Sequence, residues 1–328
     1  MLTTLASILY VAAFMFGAAW GSFINVLVYR LPRRLSLVRP SSFCPSCETP
    51  IRAFDNVPVF GWLWLCGRCR ACKCRIPVRY PLVELATALA TTLLAWHVFD
   101  GRLEAVVGGH AVLSTLLVPY VFLFFYVVAL IALFLVDLAS TELPLEITLP
   151  GILLGLIYAY AVPETGLLFD LVPNVSLFDA VLGAGVGGGV IVAIIMGYFF
   201  LTGKVGMGGG DIWMMAMVGA FVGWQGLFFI FFASSVQGLL FAVGAVLFGA
   251  KQQVEGDGGV FRNHEVAELE ASMGLAEDGQ EAGAPAFRKL ALPFGPFIAL
   301  SAFEYIFFGD FLLSLLTGGA LSAHGWVL

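Results

Sequence analysis

The chain has 328 residues, of which 60% are hydrophobic and only 12% charged. Soluble domains carry about 25% charged residues, so a chain this poor in charge cannot cover a soluble surface. Its apolar runs are continuous and do not alternate, which excludes a transmembrane β-barrel as well. The expected fold class is an all-α polytopic membrane protein.

The formal net charge of −6 conceals an uneven distribution. Ten of the 16 Lys and Arg lie between Arg30 and Arg79, together with all six Cys. A basic loop of this kind faces the cytoplasm, where thiols stay reduced. The cysteines therefore read as metal ligands before they read as disulfides.

In chain order, residues 1–29 form a first transmembrane helix without acid or base, retained and not removed as a signal peptide. Residues 30–79 form a polar cytoplasmic Cys module. Residues 80–250 carry the main transmembrane region. Within it, 81–99 is a span with Glu84 near its cytoplasmic end, where a pair with Arg79 is expected. The span 111–136 ends at Asp137. Residues 145–162 run outward, and 163–179 form an acidic external loop. The next span, 181–201, returns inward. The stretch Gly206 to Gly210 then precedes Asp211, and 212–248 is long enough for two short spans with a turn near Ser234 and Ser235. Residues 251–289 form an acidic cytoplasmic insert, in which 252–287 hold eight acids against one base, Arg262. Residues 290–328 form a C-terminal transmembrane segment. The count is about eight transmembrane helices with the N terminus outside, and no internal repeat of fixed period is evident.

Cys44 and Cys47, and Cys69 and Cys72, form two C-x-x-C pairs separated by 21 residues. Such pairs make tight knuckles whose four thiolates converge on one ion, the pattern of a structural, zinc-ribbon-like site. Four protein ligands leave no open position for water, so the zinc is structural. Cys66 and Cys74 are surplus to this set.

Asp137 and Asp211 mark the ends of apolar spans on the same, cytoplasmic side. A carboxylate at the edge of a bilayer costs ~2.5–3.5 kcal/mol on insertion scales, which makes it a functional candidate. Gly208 and Gly210 let the backbone bend before Asp211 and let a substrate strand approach closely. Two carboxylates in a low-dielectric site share one proton. One then activates water while its partner hydrogen-bonds the scissile carbonyl, which is aspartyl peptide hydrolysis.

These motifs, in this order, resemble the bacterial type IV prepilin peptidase family. The run at 21–32 (GSFINVLVYRLP) is similar to its N-terminal signature, and the two C-x-x-C pairs to its zinc module. RYPLVE at 79–84 resembles the entry to its second span, GGGD at 208–211 its GxGD motif, and LPFGPF at 292–297 its C-terminal signature. The resemblance implies a multi-pass inner-membrane aspartyl protease with its zinc module and active site on the cytoplasmic side. It implies removal of the short basic leader from prepilins or type II secretion pseudopilins, with Asp137 and Asp211 as the catalytic pair. It also implies methylation of the new N terminus by S-adenosylmethionine. One departure stands out: where the family often places a second Asp after Pro144, this chain has Leu145. That leaves Asp137 as the first catalytic carboxylate, with Glu142 the nearest other acid.

Two alternatives share some of these features. A different GxGD intramembrane protease would cut within a substrate's membrane span, but would lack the Cys module and the C-terminal signature. A carboxylate-bearing transporter would use its acids for ion passage, but no inverted repeat or paired broken helices are visible. The lipid bilayer is the expected surrounding, and no nucleic-acid module is present.

Overall fold

The structure, a computed structural model, describes residues 2–162, 175–203, 208–247 and 293–317. The acidic insert 252–287 lies outside the described residues. So does most of the external loop at 163–179. Among the described residues the fold is all-helical, with two isolated β-bridges and no strand. Five helices are long and apolar enough to cross a membrane, and two shorter apolar ones accompany them.

The first bundle is built by small residues. Helix α1 (Leu2–Arg30) and helix α3 (Arg79–Phe99) run antiparallel. Gly17 of α1 lies against Thr91 and Ala88 of α3, and Gly21 against Glu84 and Thr87. With no Cβ in the way, the backbones approach closely enough for polar groups to bond across them. The Thr91 hydroxyl donates to the Ala13 carbonyl at 3.2 Å, and Asn25 Nδ2 to the Tyr80 carbonyl at 3.2 Å. Helix α5 (Ser114–Ser140) packs on both, with Phe124 stacked on Phe16 at 5.0 Å and the Tyr120 hydroxyl donating to the Thr91 carbonyl. It runs parallel to α1, so its C-terminal end lies at the end of the bundle that carries the Cys module.

Between α1 and α3 the chain makes two knuckles of the same design. In the first, the Cys44 N–H donates to the Thr49 carbonyl, Glu48 N–H to the Cys44 carbonyl and Ile51 N–H to the Ser42 carbonyl. In the second, the same bonds join Cys69 to Cys74, Lys73 to Cys69 and Ile76 to Gly67. Glu48 and Lys73 both have positive φ, and the bridges Phe43–Pro50 and Arg68–Arg75 close the two loops. Every position is offset by 25, so the module contains a two-copy repeat. Ile51 and Ile76 apart, the two copies share little besides cysteines, which is why the sequence conceals it.

Helix α2 (Phe60–Trp64) ties this module down. The Trp62 indole N–H donates to the Ile76 carbonyl at 3.1 Å. Arg70 makes a two-pronged ion pair with Asp55, which holds the Asp55 carboxyl below its ordinary range. The link to the membrane bundle is Glu84. The expected pair with Arg79 is not formed; Glu84 instead accepts the Val59 backbone N–H at 2.6 Å. Val59 starts α2 with φ +64, a conformation that costs a β-branched residue ~1–3 kcal/mol. A buried carboxylate with a backbone N–H to accept is a better bargain than a surface pair, because charge-assisted bonds are strong where water is scarce.

The second bundle contains helices α6 (Leu145–Ala161), α7 (Leu177–Thr202), α8 (Gly210–Leu247) and α9 (Gly295–Thr317). A short helix, α4 (Leu103–Val107), follows α3 at the far end of the first bundle. Helix α8 is not one rod. Gly223 has φ 71 and ψ 175, and the contacts on either side show a reversal. Before Gly223, Met215 and Gly219 lie against Gly187 and Gly183 of α7, antiparallel to it. After Gly223, Gly226 meets Tyr305 and Gly238 meets Phe297, antiparallel to α9. Since α9 starts beside Asp137, the two arms of α8 run in opposite directions. The turn expected at Ser234 and Ser235 therefore lies at Gly223, because only glycine takes that φ and ψ without strain. Ser234 and Ser235 sit inside the second arm, their hydroxyls bonded to the Phe231 carbonyl. With α8 counted as two arms, the apolar helices among the described residues, long and short together, number eight.

The interface of α7 with the first arm is the tightest in the fold. A Cβ on Gly183 would strike the Gly219 carbonyl, and one on Gly219 would strike the Gly183 carbonyl. Gly185, on the same helix, faces open space. Gly183→Ala is expected to destabilise the protein by ~1–3 kcal/mol or more, while Gly185→Ala stays near neutral. Thermal unfolding of the two variants in detergent checks this.

Candidate active site

Asp137 lies in the last turn of α5, and Asp211 in the first turn of α8. They are only 4% and 8% exposed. The tertiary fold brings them within electrostatic reach of each other. The Asp137 Oδ2 atom is buried and has no hydrogen-bond partner among the described residues. A buried polar atom without a partner is rare in native folds.

Local sequence explains how each acid is presented. The N–H of Thr141 donates to the Asp137 carbonyl, and Thr141 takes a left-handed conformation that ends α5. Pro144 then sets the start of α6. The loop between them places Leu143 against Gly210, where a side chain would collide with its Cβ at 2.6 Å. Gly210 is thus the contact that seats the Asp211 turn on the Asp137 turn. Among the described residues, nothing lies within 4 Å of a would-be Cβ on Gly208 or Gly209. Of the two predicted supporting glycines, Gly210 is fixed by packing, while Gly208 leaves open approach beside the carboxylates.

One contact was not foreseen. Gly295, the first residue of α9, lies directly against the Asp137 carboxylate, so any side chain there would displace it. Pro296 follows at the first helical turn, where its missing N–H costs nothing. The glycine–proline pair in LPFGPF was the available signal, but nothing in the sequence says which residue it faces. Glu142 is exposed and stands apart from the buried pair, and Leu145 is 43% exposed. The reading of Asp137 as the first carboxylate needs neither.

Ile212 packs on Gly188, in the middle of α7. The helix continues to Thr202, about 20 Å further at 1.5 Å per residue. The carboxylates are therefore recessed beside a projecting helix end that exposes Phe200 and Leu201. About three turns further into the bundle, Tyr126 stacks on Phe221 at 4.1 Å.

The second group is the cysteine cluster. Cys44, Cys47, Cys69 and Cys72 place their sulfurs within 4.8 Å of one another. The Cys44–Cys72 separation is 3.8 Å and the Cys47–Cys69 separation 4.0 Å. Tetrahedral sulfurs ~2.3 Å from a metal lie about 3.8 Å apart, so the four residues fit one ion. Hydrogen bonding by Thr49 brings the Cys47 thiol down to about 6, which favours the thiolate that binds metal, and burial pushes the Cys44 thiol up. Cys66 is exposed and lies outside this group.

Fold and site together define a multi-pass membrane protein with two buried carboxylates and a four-thiol cluster that fits a metal ion. Comparison with known proteins places this more narrowly. Residues 15–98 match the bacterial peptidase A24 N-terminal domain, and residues 123–243 match the type IV leader peptidase family. The chain is 33% identical to the prepilin leader peptidase/N-methyltransferase of Aeromonas salmonicida (strain A449), over 90% of each chain. It is 35% identical to the protein of the same name from Pseudomonas putida, over 90% of this chain and 88% of the relative. No solved structure matches it. The chain belongs to the type IV leader peptidase family.

The thiol geometry predicts one bound metal ion per chain. Elemental analysis of the purified protein is expected to show loss of that ion in Cys44→Ser and Cys69→Ser; unchanged stoichiometry would reject these ligands.

Proposed function

We propose that the protein is a prepilin leader peptidase and N-methyltransferase, with Asp137 and Asp211 as its catalytic carboxylates. The observation that carries the reading is that these two buried acids, 74 positions apart, stand at the ends of separate apolar helices within electrostatic reach of each other. Family membership supports the peptidase and the methyl transfer alike. The substrates are type IV prepilins or type II secretion pseudopilins. The enzyme sits in the bacterial inner membrane, with the module and the carboxylate pair toward the cytoplasm, as the ten basic residues between Arg30 and Arg79 favour. In domain terms, residues 1–29 anchor the chain, 30–79 form the metal module, 80–250 and 290–328 build the site, and 251–289 are an insert.

The proposed chemistry follows from the arrangement. The pair holds one proton between its two carboxyl groups. The ionised member takes a proton from water, and the water oxygen attacks the carbonyl carbon of the scissile peptide. The protonated member donates a hydrogen bond to the carbonyl oxygen as negative charge grows there. The proton then passes to the departing amine, and the peptide bond breaks. Asp137 Oδ2, without a partner of its own, is the atom free to take part. The recess suits a substrate whose cleavage site lies next to its own apolar helix. That helix rests beside α7, and the basic leader stays near the module end. Open backbone at Gly208 and Gly209 leaves room for an extended strand next to Asp211.

Cys44, Cys47, Cys69 and Cys72 would hold zinc as a structural ion, which stabilises a small module that has little core of its own. S-adenosylmethionine supplies the methyl group when bound. No grouping of described side chains is assigned to it, and methyl transfer rests on family membership.

Asp137→Asn and Asp211→Asn are each expected to lower cleavage of a prepilin by at least about a hundredfold, as loss of a general acid or base does. Gly295→Ala is expected to lower it about tenfold by displacing Asp137, with substrate binding little changed, since a small misplacement of a reacting group costs rate. Leader loss on gels measures all three, and full activity in either Asn variant would end the assignment. Intact mass of the processed pilin tests the second activity: a gain of one methylene that requires the methyl donor is expected, and its absence would leave a peptidase alone.

A further inference from the structure

The two knuckles differ at one chemically important position. The residue five after the first cysteine is Thr49 in one knuckle and Cys74 in the other, held by the same backbone bond at 3.0 and 2.9 Å. Thr49 lies 3.3 Å from the Cys47 sulfur through its hydroxyl. Cys74 occupies the matching place, and its sulfur lies 3.5 Å from Cys44 Sγ. That separation lies somewhat below a tetrahedral edge of about 3.8 Å, while the Cys47–Cys69 separation of 4.0 Å lies slightly above it. A fifth thiol therefore borders the four-thiol group, in contact with one of its members, Cys44.

Two further observations make Cys74 more than a bystander. Lys73, between Cys72 and Cys74, has φ +62, and its N–H is bonded to the Cys69 carbonyl. This turn brings two successive cysteines of a C-x-C step to Cys44 Sγ, at 3.8 and 3.5 Å. Cys72 is exposed, whereas Cys74 is half-buried. The ligand named by C-x-x-C spacing is thus the one most open to solvent, and its alternative is the better protected.

We propose that Cys74 is an interchangeable fourth ligand of the metal site, so that the module holds its ion through Cys44, Cys47 and Cys69 together with either Cys72 or Cys74. The proposal rests on the reading of the cluster as a zinc site. Exchange breaks the bond from zinc to the Cys72 sulfur and forms one to the Cys74 sulfur. The proton released by Cys74 passes to Cys72, so net charge is conserved. The consequence is a site whose exposed ligand can be lost without loss of the metal. The first knuckle has no such reserve, because the Thr49 hydroxyl is a poor zinc ligand beside a thiolate.

The test uses the full chain in detergent and measures zinc per chain after dialysis. The cobalt-substituted protein reports ligand type through its thiolate-to-metal absorption. Cys72→Ser is expected to keep about one ion per chain with an unchanged four-thiolate spectrum. Cys47→Ser and the double variant Cys72→Ser with Cys74→Ser are each expected to lose at least about tenfold in occupancy. Adding Thr49→Cys to Cys47→Ser is expected to restore binding, which separates ligand loss from misfolding. If Cys72→Ser is as empty as Cys47→Ser while Cys74→Ser stays full, the proposal is overturned and the zinc reading stands. A wild-type chain without metal would overturn both.

Discussion

The approach of α7 to the first arm of α8, backbone on backbone through Gly183, Gly187 and Gly219, sets the position of everything else in the site. In a bilayer there is no hydrophobic gain from pressing two apolar helices together, so close packing and polar contacts must hold them. Glycine makes that contact possible and also fixes its register. With Gly183 against Gly219, Asp211 falls beside the middle of α7 and level with the last turn of α5. A larger residue at either position would lift the arm away and carry Asp211 with it.

The reversal at Gly223 completes this arrangement. It returns α8 along α9, and α9 begins on the Asp137 carboxylate. The three elements that touch the pair, namely the end of α5, the start of α8 and the start of α9, are therefore linked by a single chain of contacts. Polar bonds support it deeper in the bundle: Trp224 donates to Asp179, and Gln237 to Glu304. Each is a side-chain bond inside or at the edge of an apolar bundle, where an unpaired partner would be costly. Asp137 stays buried in this setting because the surrounding helices, and Gly295 at the start of α9, over-determine its place.

The Cys module follows a separate logic. It has few buried side chains and relies on backbone bonds, one ion pair and the converging thiols. Its attachment to the bundle runs through Glu84, which accepts from the strained start of α2. The carboxylate belongs to the membrane helix and the N–H to the module, so the two parts of the protein are joined by a bond that water would weaken and the bundle protects.

Much of this was legible in the sequence. Continuous apolar runs determined the membrane class, since no soluble core or alternating barrel can be written with them. The C-x-x-C spacing named four converging thiols because tight knuckles are local structures. The position of Asp137 and Asp211 at span ends marked them as candidates, because a carboxylate in lipid needs a reason. What the sequence could not decide depended on contacts between distant segments. The repeat in the Cys module is carried by backbone bonds, not by side-chain identity. The turn of α8 at Gly223 looks like any other glycine in an apolar run. Glu84 chose Val59 over Arg79, and Gly295 came to rest on Asp137, because the fold placed those atoms there. Periodicity and spacing describe one segment at a time. Which buried groups face each other, and how deeply, is settled only when the helices pack.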